Sequence, residues 1–267
     1  MERIISGVIA IPLVLGITLY GHPWLFFILI ASLVLVAAYE YFSMITNAGL
    51  SGFPVVGMVL SFLLLVAYFF VPQNLPVFIF CIPLTLFTVW FFRGKNVRVA
   101  LDPIAYTLFG IFYIAGLGGY FLLIGNLQGG REMVVFILLF IWVGDTMAYY
   151  GGQKFGKRKL LEVVSPNKTI AGAVANVVGT LIVALLASNL FFSQIPLFHC
   201  LIVAFICGII GQFGDLVESL IKRNCQVKDS GTLIPGHGGV LDRIDSLLFA
   251  GPTFYCYYQL FLATEFI

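Results

Sequence analysis

EYFSMITNAGLSGFPVVGMVLSFLLLVAYFFVPQNLPVFIFCIPLTLFTVWFFR, residues 40–93, carries no charge between Glu40 and Arg93. A helix of ~20 apolar residues crosses a bilayer. This run therefore supplies two crossings, Val55–Val71 and Val77–Phe92, divided by Pro72-Gln73-Asn74. A single hairpin that dips and returns is the alternative for this pair. Working outward, equally charge-free stretches lie between Arg3 and Glu40, between Asp102 and Arg131, and between Lys168 and Asp215. The chain has 267 residues, 61% of them hydrophobic and 10% charged. A soluble domain carries about 25% charged residues, so a water-facing surface cannot be built here and the solvent must be mostly lipid.

Gly, Pro, Asn and charge punctuate the rest into further spans. They are Ile4–Tyr20, Trp24–Tyr41, Ala105–Ile124, Val134–Tyr150, Ile170–Phe192, Phe198–Ile221 and Leu247–Phe261. The fold expected is all-α, a polytopic membrane bundle of about nine transmembrane helices. Basic residues test that path. With nine crossings, the side bearing the N-terminus receives every Lys and Arg of the 14 except Arg131. Basic residues gather in cytoplasmic loops, so the N-terminus is placed in the cytoplasm and the C-terminus outside. Three regions are expected: an N-terminal scaffold (1–103), a central transmembrane segment (104–133) and a C-terminal catalytic region (134–267). The first five helices hold few reactive groups and read as scaffold and lipid contact. Ile4–Tyr20 has no small-residue cleavage site after it and reads as a retained helix, not a signal peptide. The five cysteines lack metal-site spacing and read as small apolar residues. His22 and His199 read as interfacial polar residues in turns.

Chemistry is concentrated late in the chain. Gly208, Gly211, Asp215, Ser219 and Lys222 recur at three- and four-residue spacing, on one helix face. The small residues permit close helix approach. Asp215 and Glu218 lie one turn apart, and an ion pair of the acids with Lys222 or Arg223 is the structural alternative. Lys228-Asp229, Pro235-Gly236-His237-Gly238-Gly239 and Asp242-Arg243-Ile244-Asp245 follow. Glycines around His237 let the backbone turn and bring N–H groups to a ligand. Carboxylates, cations and a glycine loop together suit a polyphosphate bound with Mg²⁺, a hard cation that takes oxygen ligands. Gly151-x4-Gly156-Lys157 imitates a P-loop. Arg158, however, stands where Ser or Thr is required, and a membrane helix precedes it rather than a strand.

From Ser219 through Lys222-Arg223, Lys228-Asp229, His237-Gly-Gly-Val-Leu-Asp242-Arg243-Ile-Asp245, the chain resembles the phosphatidate cytidylyltransferases. Asp145, the Gly151–Lys157 loop and Ser165-Pro-Asn-Lys168-Thr169 are similar to further elements of that family. Ala171 stands where many members carry an acid. The resemblance covers roughly residues 140–250.

The resemblance implies that a phosphate oxygen of phosphatidic acid attacks the α-phosphorus of CTP and that pyrophosphate leaves. The nucleophile is already anionic near neutral pH. The obstacle is charge repulsion, which divalent cations and fixed Lys or Arg relieve. Asp215 and Asp242 are then the principal expected metal ligands, with Asp245 and Asp145 next, around one Mg²⁺ or two. Lys222, Arg223, Lys228 and Arg243 are expected on phosphates, with Asp229 on a metal or a lysine and His237 on pyrophosphate or nucleotide. Ser165, Lys168, Thr169, Ser219, Gly238 and Gly239 complete the expected substrate contacts. The implied setting is the cell membrane, with the site on the cytoplasmic side, lipid as partner, a homodimer, and no nucleic acid. A secondary transporter with intramembrane carboxylates is the rival class. A CDP-alcohol phosphotransferase is disfavoured because its Asp-Gly-x-x-Ala-Arg-led motif is absent.

Overall fold

The structure is a computed structural model that describes residues 2–94, 96–190, 195–233 and 238–263; side chains are described from residue 11 onward, residue 190 excepted. A helical segment stands at each of the nine expected places. In order they are α1 (Glu2–Tyr20), α2 (Pro23–Asn47), α3 (Pro54–Phe70) and α4 (Leu75–Arg93). There follows a broken segment made of α5 (Leu101–Gly110), a π-helical stretch (Ile111–Gly116) and α6 (Tyr120–Gly125). Then come α7 (Gly130–Phe155), α8 (Ile170–Leu190), α9 (Leu197–Asn224) and α10 (Leu241–Tyr257), the last extended by a π turn at Tyr258–Leu262. Among the described residues, six helical stretches are long and apolar enough to cross a membrane, while Ile11–Tyr20 and Pro54–Phe70 are shorter. The outward faces fit that solvent. Phe80, Phe91 and Phe92 on α4 are exposed at 68%, 72% and 87%, a surface that water would penalise and lipid does not.

The boundaries obey local chemistry. Proline opens α2 and α3 at the first helical position, where its missing N–H costs nothing. His22 caps α2, its Nδ1 accepting from Trp24 N. His199 differs from the expectation of a turn: it lies inside α9, with Nδ1 2.8 Å from the Tyr257 hydroxyl. The α-only expectation also needs one addition. Lys159–Leu161 (β1) and Ser165–Thr169 (β2) form a short antiparallel hairpin, pairing Lys159 with Thr169 and Leu161 with Ser165. Pro166 cannot donate to a ladder, which is tolerated where both strands are edges.

The chain packs as two compact units. One comprises Met1–Leu123 and Asn224–Arg243, the other Ile124–Arg223 and Ile244–Ile267. In the first unit the π stretch is held by a side chain from α3: the Tyr68 hydroxyl donates to the Gly116 carbonyl at 2.8 Å. A π turn disturbs the regular ladder, so such a carbonyl needs an outside donor. Thr107 serves likewise, accepting from Phe53 N and donating to Pro103 O. In the second unit small residues bring helices together. A β-carbon at Gly208 would lie 2.8 Å from Thr180 Oγ1, and one at Gly214 would lie 2.6 Å from the Asp245 carbonyl oxygen. Close backbone approach of this kind substitutes for a hydrophobic drive that lipid cannot provide.

Candidate functional site

In the second unit, Asp215 and Glu218 stand one turn apart on α9. Glycine at 214 lets the first turns of α10 lie against them, and α10 contributes Asp245. One carboxylate oxygen each from Asp215, Glu218 and Asp245 lies within 4.8 Å of the others. Glu218 is 1% exposed and Asp245 9%. Two ammonium groups answer them. Lys168 Nζ is 2.5 Å from Asp215 Oδ2, and Lys222 pairs with Glu218 one turn along the same helix. Ser219 Oγ donates to Asp215 Oδ1 at 3.4 Å, and Ser246 N donates to Asp245 Oδ1 at 2.7 Å. Three carboxyl groups thus face two lysines. Buried acids that close repel unless a cation sits among them. An all-oxygen donor set of this size suits Mg²⁺, which takes one or two carboxylates and completes its sphere with water and phosphate oxygens.

Lys168 arrives at the cluster through the hairpin. Thr169, the last residue of β2, accepts from Gly172 N through its hydroxyl, which caps the start of α8. The residue before the cap is thereby fixed next to α9. Arg223 Nε donates to the Val164 carbonyl at 3.4 Å, joining the hairpin turn to the end of α9. Ser165 opens β2, and Pro166 and Asn167 follow it, exposed.

Behind the cluster runs a polar chain. Asn176 Nδ2 donates to Asp145 Oδ1 at 3.1 Å, and Gln212 Nε2 donates to Asn176 Oδ1 at 3.3 Å. Asp145 is thus tied to α8, and α8 to α9. The P-loop imitation is settled by geometry. α7 continues through Phe155, so Gly151 and Gly152 are helical and face Ala175, Thr169 and Gly172 of the adjoining strand and helix, not a phosphate.

Asp242, Lys228, Asp229, Gly238, Gly239 and Arg243 belong to the first unit. There Asp242 Oδ2 accepts from Ser230 N at 3.0 Å, Ser230 Oγ at 2.9 Å and Gly239 N at 2.8 Å. Gly238 adopts φ +79°, a left-handed backbone that glycine enters without a steric penalty. Lys228, Asp229 and Arg243 are exposed. His237, with Pro235 and Gly236, lies outside the described residues. Burial pushes the Cys225 thiol up from its ordinary value, which keeps it neutral and unreactive.

Besides Asn176 and Gln212, two acids escaped the sequence reading. Glu218, read as an ion-pair partner of Lys222, does make that pair and also joins the acidic cluster. Glu40, set among the scaffold helices, is 4% exposed on α2. Its carboxylate accepts from Val240 N at 2.9 Å and Leu241 N at 2.8 Å, and Ser230 Oγ, whose one proton is shared with Asp242 Oδ2, lies 3.1 Å from Oε2. The one available signal was a lone acid at the edge of a long charge-free run.

Comparison with known proteins agrees with the resemblance. The model of the Cytidylyltransferase family matches residues 1–261. A protein of Bacillus subtilis (strain 168) named phosphatidate cytidylyltransferase is 43% identical over 143 residues, 53% of each chain. One of the same name from Staphylococcus saprophyticus is 44% identical over 134 residues, 50% of this chain and 52% of that one. Its namesake in Staphylococcus haemolyticus is 41% identical over 134 residues, with the same shares. The chain spans about half the length of the curated relatives it matches.

Proposed function

The chain belongs to the cytidylyltransferase family, and from that premise we propose that it transfers CMP from CTP to phosphatidic acid, giving CDP-diacylglycerol and pyrophosphate. The observation that carries the reading is the Asp215–Glu218–Asp245 cluster with Lys168 and Lys222 against it. Opposed charges this close to one another suit a substrate rich in phosphate and a cation that accompanies it. A phosphate oxygen of phosphatidic acid forms the new bond to the α-phosphorus, and the bond to the β-phosphate oxygen breaks. No base is required for an oxygen already anionic. The burden falls on holding two anions together and receiving the charge of the departing pyrophosphate.

Asp215, Glu218 and Asp245 would hold Mg²⁺, which when bound neutralises phosphate charge and polarises the phosphoryl group. Asp145, in the same unit, is a further candidate for that role, and Asp242 is the candidate from the other unit. Three hydrogen bonds already engage Asp242 Oδ2, which ranks it behind Asp245. Lys168 and Lys222 exchange their carboxylate partners for phosphate oxygens when substrate arrives. Arg223, Lys228 and Arg243 bind the remaining phosphates, Asp229 orients Lys228, and Ser165, Thr169, Ser219, Gly238 and Gly239 line the nucleotide path. The proposed setting is a nine-crossing protein of the cell membrane with its N-terminus and its site on the cytoplasmic side, working as a homodimer. The crowding of Lys and Arg on one side supports that orientation. A lipid acceptor then keeps its acyl chains in the bilayer while its headgroup meets CTP.

The test is turnover of labelled CTP with phosphatidic acid by the purified protein in detergent, with and without Mg²⁺. Mg²⁺-dependent formation of CDP-diacylglycerol and pyrophosphate is expected. No product with any divalent cation overturns the reading.

A further inference from the structure

We propose that Glu40 is a positioning residue, whose buried carboxylate sets the conformation of residues 230–231 and 239–241 and the starting point of α10. The function given to that loop rests on the cytidylyl-transfer reading; the clasp itself rests on geometry within one unit.

A carboxylate inside an apolar helix face is costly unless its oxygens are satisfied. Both oxygens of Glu40 are engaged, by donors 190 to 201 residues away in sequence. Two of the donors are backbone amides at the beginning of α10. Those are the N–H groups a helix leaves without an internal partner, and the positive end of its dipole. Helices ordinarily satisfy them with a capping side chain of their own. Here the residue before α10 is Val240, which has no acceptor, and the acid comes from α2 instead.

Shape gives a second, independent argument. A β-carbon at Gly231 would lie 2.6 Å from Glu40 Oε1, and one at Gly239 would lie 2.5 Å from Oε2. The loop backbone is wrapped directly on the carboxylate at two points, with no room for any side chain. Ser230 then joins this acid to the next. Its hydroxyl is 3.1 Å from Glu40 Oε2 and 2.9 Å from Asp242 Oδ2, and Asp242 in turn takes Gly239 N. The two acids therefore close the loop from opposite sides of one serine. Lys228 and Asp229 immediately precede Ser230, and Arg243 follows Asp242, so groups proposed to meet phosphate are carried on the clasped backbone.

Glu40→Gln is the discriminating variant. It keeps size and shape but turns an NH₂ toward an N–H or O–H donor. Kinetics in CTP and site-resolved amide hydrogen exchange are measured together on the full-length protein. The expected result is an apparent KM for CTP raised about tenfold or more per folded molecule, the scale of one buried donor left unmatched. Amide exchange rises by a similar factor at 230–231 and 239–241, while α7 to α9 are unchanged. A merely structural role would raise exchange throughout, or lower the yield of folded protein, and leave KM alone; that result overturns the proposal, as does wild-type exchange in the loop. Should Glu40→Gln not accumulate, Ser230→Ala removes only the hydroxyl, and the same two readouts are expected to move in the same direction by less. If the wild-type protein fails to turn over CTP, the cytidylyl-transfer reading falls. The exchange arm still decides the clasp: a rise confined to the loop supports it, and none refutes it.

Discussion

Replacing Gly214 by alanine puts one methyl group between the two helices that form the acidic cluster. The added β-carbon would sit 2.6 Å from the Asp245 carbonyl oxygen and 3.0 Å from a ring carbon of Phe249. Ordinary contact begins at 3.4 Å, so α9 and α10 must separate by about 0.8 Å at the point where Asp215 and Asp245 face each other. Overpacking costs about 1–3 kcal/mol of stability. The effect on the reaction should be larger in proportion, because a displacement near 1 Å at a reacting centre costs about 10²-fold. Gly208→Ala is the control. It overpacks the same helix against Thr180, 2.8 Å away, without touching Asp245. The assay pairs thermal unfolding with CTP turnover per folded molecule. Both variants should melt earlier, and only Gly214→Ala should lose turnover by roughly two orders of magnitude. Equal turnover in the two variants would refute the argument that Gly214 governs the carboxylate spacing.

Asp215→Asn and Asp245→Asn should each lower kcat about 10²–10³-fold, the scale of losing a fixed electrostatic group at a reacting centre; near-normal turnover in a folded variant removes that residue from the cluster's role. Mg²⁺ at ~100-fold its dissociation constant should stabilise the wild-type protein by about 2.7 kcal/mol, seen as a rise in melting temperature. The same titration on Asp215→Asn should give little or no rise, and an undiminished one would place the cation elsewhere. Tyr68→Phe strips the Gly116 carbonyl of its donor in the π stretch. It should cost about 1–3 kcal/mol of stability while leaving CTP turnover per folded molecule unchanged.

The helices were legible because lipid enforces a one-dimensional rule: a crossing must be long, apolar and free of charge. That rule located the paired helices α1–α2, α3–α4 and α8–α9 from gaps between charges divided by Gly, Pro and Asn, while α7, which carries Asp145, was found from punctuation and apolar content. It failed where the backbone departs from a regular helix. Nothing in Ile111–Gly116 announces a π turn, because the extra residue is accommodated by Tyr68 from another helix. The Lys159–Thr169 hairpin was hidden by its shortness, since three to five residues give no measurable alternation. At the site, Asp215, Asp242 and Asp245 stood out because each lies near other polar residues at helical spacing; spacing ranked Asp242 beside Asp215, whereas the acid gathered with Asp215 and Glu218 is Asp245. Glu218 was undervalued because an i, i+4 lysine explains it locally, and local explanations are all that spacing can weigh. Glu40, Asn176 and Gln212 are isolated polar residues in apolar helices. Each is intelligible only through a partner dozens to hundreds of residues away.

The bond from Glu40 to the Leu241 amide spans 201 residues, and it dictates a chronology. Polypeptide leaves the ribosome at ~5–20 residues per second, so α2 is made roughly 10–40 s before its acceptors are matched. Throughout that interval the nascent chain carries an unclasped acid, and the segment from Lys228 to Arg243 has not been synthesised. Assembly of the loop therefore waits until the start of α10 has been made, and a chain cut short before residue 240 holds the lock without its key.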